Sequence, residues 1–277
     1  MNYKNYHTKK SFGQHWLKNQ EVLDQIIKTA EPNKNDVILE IGPGRGALTS
    51  KLLENNIRKL YAVELDKDLI QYLNNKFSKI KAFRLYQGDI LNIDIDSFNF
   101  ECNKIIANIP YNITSPIIDK FVGRLGRKQK YNFEKIVFLM QKDVADRILA
   151  REGTSDVGAI STKIKLISKV EKVCDVNPSS FSPPPKVNSS LVVFRPLPQN
   201  LRLDLELEKC LDRLLKVAFN GRRKKLKNTL STLFSKNEFD DLILTSKIDF
   251  NMRPQEISLE SWKMMAQCCT KIEKLRL

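Results

Sequence analysis

The segment Asn108-Ile109-Pro110-Tyr111 combines residue types that could hold a purine base by its amino group. The exocyclic amino group of adenine is a poor nucleophile, because its lone pair is delocalised into the ring. The Asn108 side-chain oxygen and the Pro110 carbonyl could accept both N–H groups and favour a tetrahedral nitrogen. Proline stiffens the backbone, and Tyr111 offers a flat face to an unstacked base. A buried Asn turn followed by a core tyrosine is the structural alternative.

A glycine-rich turn, residues 40–46 with the sequence EIGPGRG, follows a short apolar run. Glycines in a strand-to-helix turn let a ligand approach the backbone closely. The spacing is GxGxG, whereas a dinucleotide-binding turn has GxGxxG. The next helix therefore starts sooner, which suits a ligand without a pyrophosphate. A plain tight turn would have the same sequence.

Two acidic residues end the next two predicted strands. Glu64 is placed to accept hydrogen bonds from both hydroxyls of a ribose, and Asp89 from the amino group of an adenine. Each also has a structural alternative, a helix cap for Glu64 and a turn that binds its own backbone for Asp89. Two carboxylates without a basic residue for a phosphate favour S-adenosylmethionine over NAD.

Phe181 lies in the segment SSFSPPPKV, where three prolines stiffen the chain. A single apolar side chain among serines predicts a packing partner. We expect Phe181 to cover the opposite face of the target base. The alternative is a phenylalanine that anchors the loop in the core.

These motifs all follow predicted strands, so the elements between them decide where they meet. Apolar runs alternate with helical segments up to residue 141, which predicts a parallel sheet covered on both faces. Ligands bind such sheets beyond the carboxyl ends of the strands. We expect strands at 36–41, 59–65, 82–89, 104–109, 135–141, 169–176 and 189–194, the last two as an antiparallel edge.

The prolines of residues 195–200 suggest a linker. Helical periodicity follows from 204 to 277, in about four helices. We therefore expect an S-adenosylmethionine-dependent methyltransferase domain over residues 1–198. A helical domain for RNA binding and substrate recognition would occupy residues 199–277.

The charge balance points to a polyanionic partner. The chain has 277 residues and a formal net charge of +15, with an excess of Lys and Arg both before and after residue 200. Nucleic acid is the usual reason for such a charge, although a basic proteome would also account for it. The sequence has no apolar stretch of membrane-spanning length and no secretory signal, so we expect a cytoplasmic protein. Scattered cysteines and two histidines make a metal site improbable.

The segment FNGRRKKLKNTLSTLF, residues 219–234, carries a cluster of cations. Leu226, Leu230 and Leu233 recur at helical spacing and should face the core. The cations would crowd the first turns of that helix, opposing its dipole, which suggests an external anion such as RNA phosphate. A solvated basic face is the alternative. The expected RNA-binding residues are Arg222, Arg223, Lys224, Lys225 and Lys227.

Together these segments resemble those of the rRNA adenine N6-dimethyltransferases. The motifs FGQHWL (12–17), IGPGRG, ELD, QGDI, NIPY, LMQKDVADRI, SFSPPPKV and AFNGRRKKL occur in the family's order, from about residue 10 to 260. The resemblance implies a Rossmann-like α/β fold, with a seven-stranded methyltransferase sheet and a small all-α C-terminal domain. It also implies S-adenosylmethionine as cofactor and rRNA as substrate.

Carried over motif by motif, the resemblance implies roles for individual residues. The cofactor contacts would be His15, Leu17, Gly42, Glu64, Asp89 and Asn108, and the target-base pocket would consist of Asn108, Pro110, Tyr111 and Phe181. Two positions depart from the family pattern, with Trp16 in place of Phe and Ile109 in place of Leu. Both remain apolar, so we expect altered packing and intact chemistry.

The C-terminal match favours the small-subunit group of this family. Such an enzyme, expected to be a monomer, would dimethylate two adjacent adenosines in a hairpin loop near the rRNA 3′ end, within an assembling small subunit. The alternatives are a resistance methyltransferase of large-subunit rRNA, a DNA adenine methyltransferase, and an assembly factor without catalysis. An NAD oxidoreductase would need a third glycine one place later and a hydride-handling residue, which the sequence lacks.

Overall fold

The computed structural model describes residues 14–95 and 102–274, which group into two compact units. Phe12 and Gly13 of the N-terminal motif lie outside the described residues. The first unit takes its described residues from Met1–Val122, Tyr131–Ala145 and Val170–Pro196. The second takes them from Gly123–Lys130, Asp146–Lys169 and Leu197–Leu277.

A seven-stranded sheet forms the centre of the first unit, within the part of the chain that is described. The strands are β2 (Val37–Ile41), β3 (Lys59–Glu64), β4 (Phe83–Gln87), β5 (Lys104–Asn108), β6 (Lys135–Gln141), β7 (Ser168–Val176) and β9 (Ser189–Pro196). Their order is β4-β3-β2-β5-β6-β9-β7. Strands β2 to β6 pair in parallel, whereas β9 is antiparallel to β6. All seven predicted strands and the seven-stranded α/β class are confirmed.

The strand order reverses between β2 and β5, since β3 and β4 extend the sheet on one side and β6 on the other. At such a switch point the loops after neighbouring strands run apart and leave a crevice. The glycine-rich turn follows β2, and the NIPY segment begins at the end of β5. The topology therefore brings both motifs to the same crevice.

Helices α1 (Gln20–Ala30) and α3 (Lys67–Phe77) pack against the sheet, and their apolar residues recur at helical spacing. The other helices up to residue 220 of the described chain are α2 (Ala47–Leu53), α4 (Thr114–Phe121), α5 (Lys142–Leu149), α6 (Ala159–Ile167) and α7 (Leu205–Asn220). Of these, α6 and α7 belong to the second unit. Helix α3 buries Leu69, Leu73 and Phe77. Its N-cap is Asp66, whose side chain accepts the Asp68 N–H.

A two-stranded ribbon, which we did not expect, joins two distant segments of the first unit. Strand β1 (Trp16–Leu17) pairs antiparallel with β8 (Phe181–Ser182). Lys18 and Asn19 extend this connection, because both backbone N–H groups donate to the carbonyl of Ser180. Two-residue strands are too short to give a periodic signal in a sequence. The ribbon fixes the residues around His15 against the loop that carries Phe181.

The second unit is helical and has its own core. After α7 it contains α8 (Leu226–Leu230), α9 (Lys236–Ser246) and α10 (Leu259–Lys274), which matches the four helices expected there. Trp262, Leu214 and Leu230 are among the side chains of its buried cluster. Residues 123–130 and 146–169 also belong to this compact unit. The division of roles between residues 1–198 and 199–277 remains a proposal.

A buried ion pair lies within the second unit. The Arg202 guanidinium donates to both carboxylate oxygens of Glu208, at 2.7 and 2.6 Å, and both side chains are almost fully buried. Both side chains also form hydrogen bonds with the backbone of residues 124–127. Glu208 accepts the Gly126 N–H, and Arg202 donates to the carbonyls of Arg124 and Arg127. The pair therefore ties residues 124–127 to the start of α7.

Arg202→Met should destabilise the protein by about 3 kcal/mol or more, because it leaves the Glu208 carboxylate buried without its partner. The double substitution of Arg202 and Glu208 by Met should cost less than this single change. Urea unfolding followed by circular dichroism measures both. Lys263→Met, which breaks the exposed pair with Glu260, is the control and should cost under about 1 kcal/mol. Equal effects of Arg202→Met and the control would contradict this account.

Candidate functional site

A cavity of about 320 Å³ opens at the carboxyl ends of the parallel strands, within the first unit. Its walls come from the ends of β2, β3, β4 and β5 and from the segment before β1. Seven residues predicted for the site line it, and these are His15, Gly42, Glu64, Asp89, Asn108, Pro110 and Tyr111. The structure thus brings together residues that are far apart in the sequence.

Glu64 joins two of these loops at the end of β3. Its carboxylate accepts the Gly44 N–H at 3.2 Å and the Asp66 N–H at 2.9 Å. Only 6% of the residue is exposed. Burial raises the pKa of Glu64 above its ordinary value, although these backbone donors favour the charged form. The carboxylate faces a cavity in which ribose hydroxyls would be suitable additional donors.

Asp89 lies just after the end of β4, and its carboxylate also accepts hydrogen bonds from neighbouring residues. One carboxylate oxygen accepts the Leu91 N–H at 2.9 Å, and the other accepts the Asn92 side-chain amide at 3.0 Å. This is the local turn that was the structural alternative for Asp89. The cofactor contact at Asp89 remains a prediction that is compatible with this turn, because a carboxylate has about four acceptor positions and the residue also lines the cavity.

The glycine-rich turn adopts a conformation that favours glycine. Gly42 and Gly44 have φ of +65° and +57°. A Cβ atom on Gly44 would lie 2.8 Å from Cδ1 of Trp16, so glycine also lets the Trp16 ring approach the turn. Behind the turn, Glu40 is buried and accepts the Thr49 hydroxyl at 2.7 Å. Burial raises the pKa of Glu40 to about 8, so it is mostly neutral at pH 7.

Asn108 is oriented by the N-terminal segment. Its side-chain NH₂ donates to the His15 carbonyl at 2.8 Å. Because the nitrogen is engaged in this way, the side-chain oxygen is the end left to accept a hydrogen bond from a ligand. The Pro110 carbonyl accepts the Ile113 N–H at 3.2 Å, which leaves its second lone pair. The two acceptors expected for an amino group therefore lie on the same cavity wall.

Tyr111 is held at both its edge and its face. Its hydroxyl forms a 2.6 Å hydrogen bond with the Ser189 hydroxyl, and burial raises the pKa of Tyr111. The His15 ring stacks on the Tyr111 ring, with centroids 5.5 Å apart and planes 28° apart. His15 in turn contacts the Pro183 carbonyl at 2.8 Å through Nδ1. One face of Tyr111 is therefore covered by His15, and a base would stack on the other face.

The composition of the cavity wall restricts its ligand. Neither Lys nor Arg is among the described residues that line it, so the wall offers no side-chain cation to a pyrophosphate. Apolar side chains such as Ile41, Val63 and Ile90 surround the two carboxylates. This arrangement fits a nucleoside whose hydroxyl and amino groups donate hydrogen bonds. No cluster of potential metal ligands occurs among the described residues.

Leu17 lies beside a second cavity, of about 310 Å³, which shares Trp16, Gly42, Gly44 and Asn108 with the first. Leu17 itself is buried. The expected cofactor contact at Leu17 would thus lie on the far side of the glycine-rich turn from Asp89. The two cavities therefore share the glycine-rich turn and Asn108 as a common border.

Phe181 differs from expectation. Its side chain is 1% exposed, packs in the main core cluster and lines neither cavity. Its backbone pairs with Leu17 in the β1–β8 ribbon. The structure therefore places Phe181 as the core anchor that the sequence left as an alternative. A target-base contact by this ring remains a prediction, and the conformation described here does not provide it.

The cationic segment also corrects one argument from the sequence. Arg222, Arg223, Lys224 and Lys225 are exposed, but they precede α8 instead of forming its first turns. Arg222 and Arg223 follow the end of the 16-residue helix α7, where a helix dipole favours cations.

The start of α8 is also occupied. The N–H groups of Leu226 and Lys227 donate to the carbonyls of Met252 and Phe250. The dipole argument for an external anion was therefore wrong, and exposure and charge alone support RNA contact. Leu226 and Leu230 are buried as expected, and Leu233 packs against the same core.

Two residues of the site escaped the sequence analysis as contributors. Ser189 bonds the hydroxyl of Tyr111 from the start of β9, and Trp16 packs over Gly44 while the Arg45 guanidinium lies 4.3 Å above the Trp16 ring. A serine at a strand start carries no distinguishing signal. Trp16 was noted only as a departure from the family pattern.

Comparisons with known proteins agree with this geometry. The family model described as ribosomal RNA adenine dimethylase matches residues 5–271. A protein named ribosomal RNA small subunit methyltransferase A, from Prochlorococcus marinus strain MIT 9301, is 59% identical over 274 residues. That match covers 99% of this chain and 100% of the relative. A protein of the same name from strain NATL2A is 46% identical, over 94% and 90% of the two chains.

Solved structures extend the similarity to the fold. A dimethyladenosine transferase from Plasmodium falciparum superposes with a TM-score of 0.76 at 28% identity, covering 94% of this chain and 98% of the other. The 23S rRNA methyltransferase ErmE shares the fold at 21% identity, with a TM-score of 0.72 over 91% and 98% of the two chains. With a family model that spans nearly the whole chain and relatives well above 30% identity, this protein belongs to the ribosomal RNA adenine dimethylase family.

Proposed function

We propose that this chain dimethylates the exocyclic amino groups of two adjacent adenosines, in a hairpin loop near the 3′ end of small-subunit rRNA. The methyl donor is S-adenosylmethionine. The substrate would be an assembling small subunit in the cytoplasm, and the enzyme would act as a monomer. Relatives named small subunit methyltransferase A, 59% identical over 274 residues, support this choice of rRNA.

One observation carries the chemistry. Asn108 and Pro110 line the same cavity as Glu64 and Asp89. Two acceptors for an amino group thus lie beside two carboxylates suited to an adenosine. A site that binds only a nucleoside would need the two carboxylates but not the two amino-group acceptors. A site that methylates an amino group needs the carboxylates and the acceptors.

The cavity fits S-adenosylmethionine by its donor and acceptor set. Glu64 would bind the ribose hydroxyls, and Asp89 the adenine amino group. Gly42 would allow close approach to the backbone. His15 lines the first cavity, Leu17 the second, and Asn108 both. When bound, the cofactor supplies an electrophilic methyl group on a sulfonium.

The chain's own residues would act mainly by positioning. Asn108 and Pro110 accept the two N–H groups of the target adenine, which localises the nitrogen lone pair toward the methyl donor. The open face of Tyr111 would stack on the flipped base. The two oxygens accept hydrogen bonds and do not take up a proton, so the proton that the nitrogen loses after it accepts the methyl group would pass to water. Bases in an rRNA loop are suited to entering such a site, because they unstack at a low cost in free energy.

Methyl transfer to three acceptors tests the proposal. Labelled S-adenosylmethionine would be offered with undermethylated small subunits, undermethylated large-subunit rRNA and adenine-containing DNA, followed by nuclease digestion. We expect labelled dimethyladenosine in the small subunit alone. Label in the large-subunit RNA would instead assign the chain to the resistance group. Cofactor binding without any transfer would favour an assembly factor.

Asn108→Ala should lower the rate of methylation by about 100-fold or more, because one of the two amino-group acceptors is lost. RNA binding should change little. Single-turnover assays and filter binding measure the two quantities. Asn108→Asp keeps an oxygen acceptor but loses the donor to His15, so it separates the two roles of the side chain. Asn74→Ala, on the exposed face of α3, is the control, and equal loss of RNA binding and methylation would contradict the assignment of Asn108.

Reversing the charge of Arg222 and Arg223 to Glu should weaken RNA binding and flatten its salt dependence. Loss of two phosphate contacts lowers the slope of log K against log salt by about 1.4 for single strands. Filter binding at several salt concentrations measures this slope. Lys236 and Lys271, which are exposed elsewhere in the second unit, provide a control with the same change in net charge. Equal slopes for the two double variants would count against this surface.

A further inference from the structure

Lys120, in the last turn of α4, makes an unusual set of contacts for a partly exposed lysine. Its ammonium group donates to the carbonyls of Ile90 at 2.7 Å, Leu91 at 3.1 Å and Ile93 at 2.6 Å. An ammonium group has three N–H donors, so these contacts use its full capacity. All three acceptors belong to one short stretch of the backbone.

That stretch is the Asp89 loop, which we define as residues 88–95. The loop leaves the end of β4 with no regular secondary structure up to Leu91. Its carbonyls at 90, 91 and 93 converge on one point, and converging carbonyl dipoles repel each other unless a donor lies between them. The Lys120 ammonium group occupies that point. Tyr131 supports the far end of the loop by donating to Asp94 at 3.2 Å.

The other end of α4 belongs to the target-base motif. The helix begins at Thr114, directly after the turn formed by Tyr111–Ile113. Ile117, Ile118 and Phe121 bury one face of the helix in the core, so it is fixed in place. The same helix thus begins just after the segment that carries the amino-group acceptors, and its last turn contacts the loop that carries Asp89.

We propose that Lys120 is a positioning residue that holds the Asp89 loop in the conformation that accepts the adenine amino group of the cofactor. This inference rests on the proposed function, because it takes the cavity as the cofactor site. Lys120 acts through the loop backbone and touches neither substrate nor cofactor. Without it, the three carbonyls separate and the Asp89 carboxylate loses its fixed direction.

Calorimetric titration with S-adenosylhomocysteine tests the role. Lys120→Met keeps much of the side-chain volume and removes all three donors, so the Kd should rise roughly tenfold. Lys120→Arg keeps the charge, but its planar group directs its donors differently, so an intermediate Kd is expected. Lys79→Met, an exposed lysine of the first unit, is the control and should leave the Kd unchanged. Binding to RNA should be the same in all four proteins.

A double-mutant cycle with Asp89→Asn separates positioning from general stability. If Lys120 acts through Asp89, then Lys120→Met should change the Kd by less than about threefold once Asp89 is replaced. Additive effects, or an unchanged Kd in the single Lys120→Met variant, would overturn the inference. Should that variant fail to fold in thermal denaturation, Lys120→Arg enters the same cycle with the same criteria. A wild-type protein that does not bind S-adenosylhomocysteine would overturn the proposed function and this inference with it.

Discussion

The site depends on one carboxylate, that of Glu64. Because it accepts the N–H groups of Gly44 and Asp66, it fixes the glycine-rich turn after β2 against the end of β3. The Gly88 N–H donates to the Glu64 carbonyl, which connects the start of the Asp89 loop to the same residue. Three strand ends are thus joined at one position of the chain. The carboxylate proposed to bind the ribose is also the group that assembles the wall around it.

The sheet and the convergence of its motifs could be predicted because both follow from local patterns. Apolar runs mark the strands, and parallel pairing places every motif after a strand at the same edge. The ribbon of β1 and β8 could not be predicted, since its two short strands pair across most of the first unit. The contacts of Lys120 could not be predicted either, because its partners are backbone carbonyls, which any sequence provides.

The predictions for Phe181 and for the cationic segment differ from the structure for the same reason. Phe181 and the cationic segment were interpreted from their neighbours in sequence, as a lone ring among serines and as cations at a helix start. Tertiary partners decided both cases. The apolar core takes the Phe181 ring, and the carbonyls of Phe250 and Met252 take the N–H groups at the start of α8. A pattern can show which groups need a partner, but only the fold shows whether that partner is internal.

The two ends of the sheet illustrate this distinction. At the amino ends, Asp36 accepts bonds from Asn33, Asn103 and Lys104, and these outweigh burial and keep its pKa below the ordinary value. Four internal donors engage this carboxylate, three of them at one oxygen, so its role is to hold the fold. At the carboxyl ends, the hydrogen bonds of Asp89 leave acceptor capacity, and the pKa of Glu64 is raised by burial without a cation to oppose it. Similar carboxylates are therefore structural at one end and available to a ligand at the other, and the number of internal donors decides which.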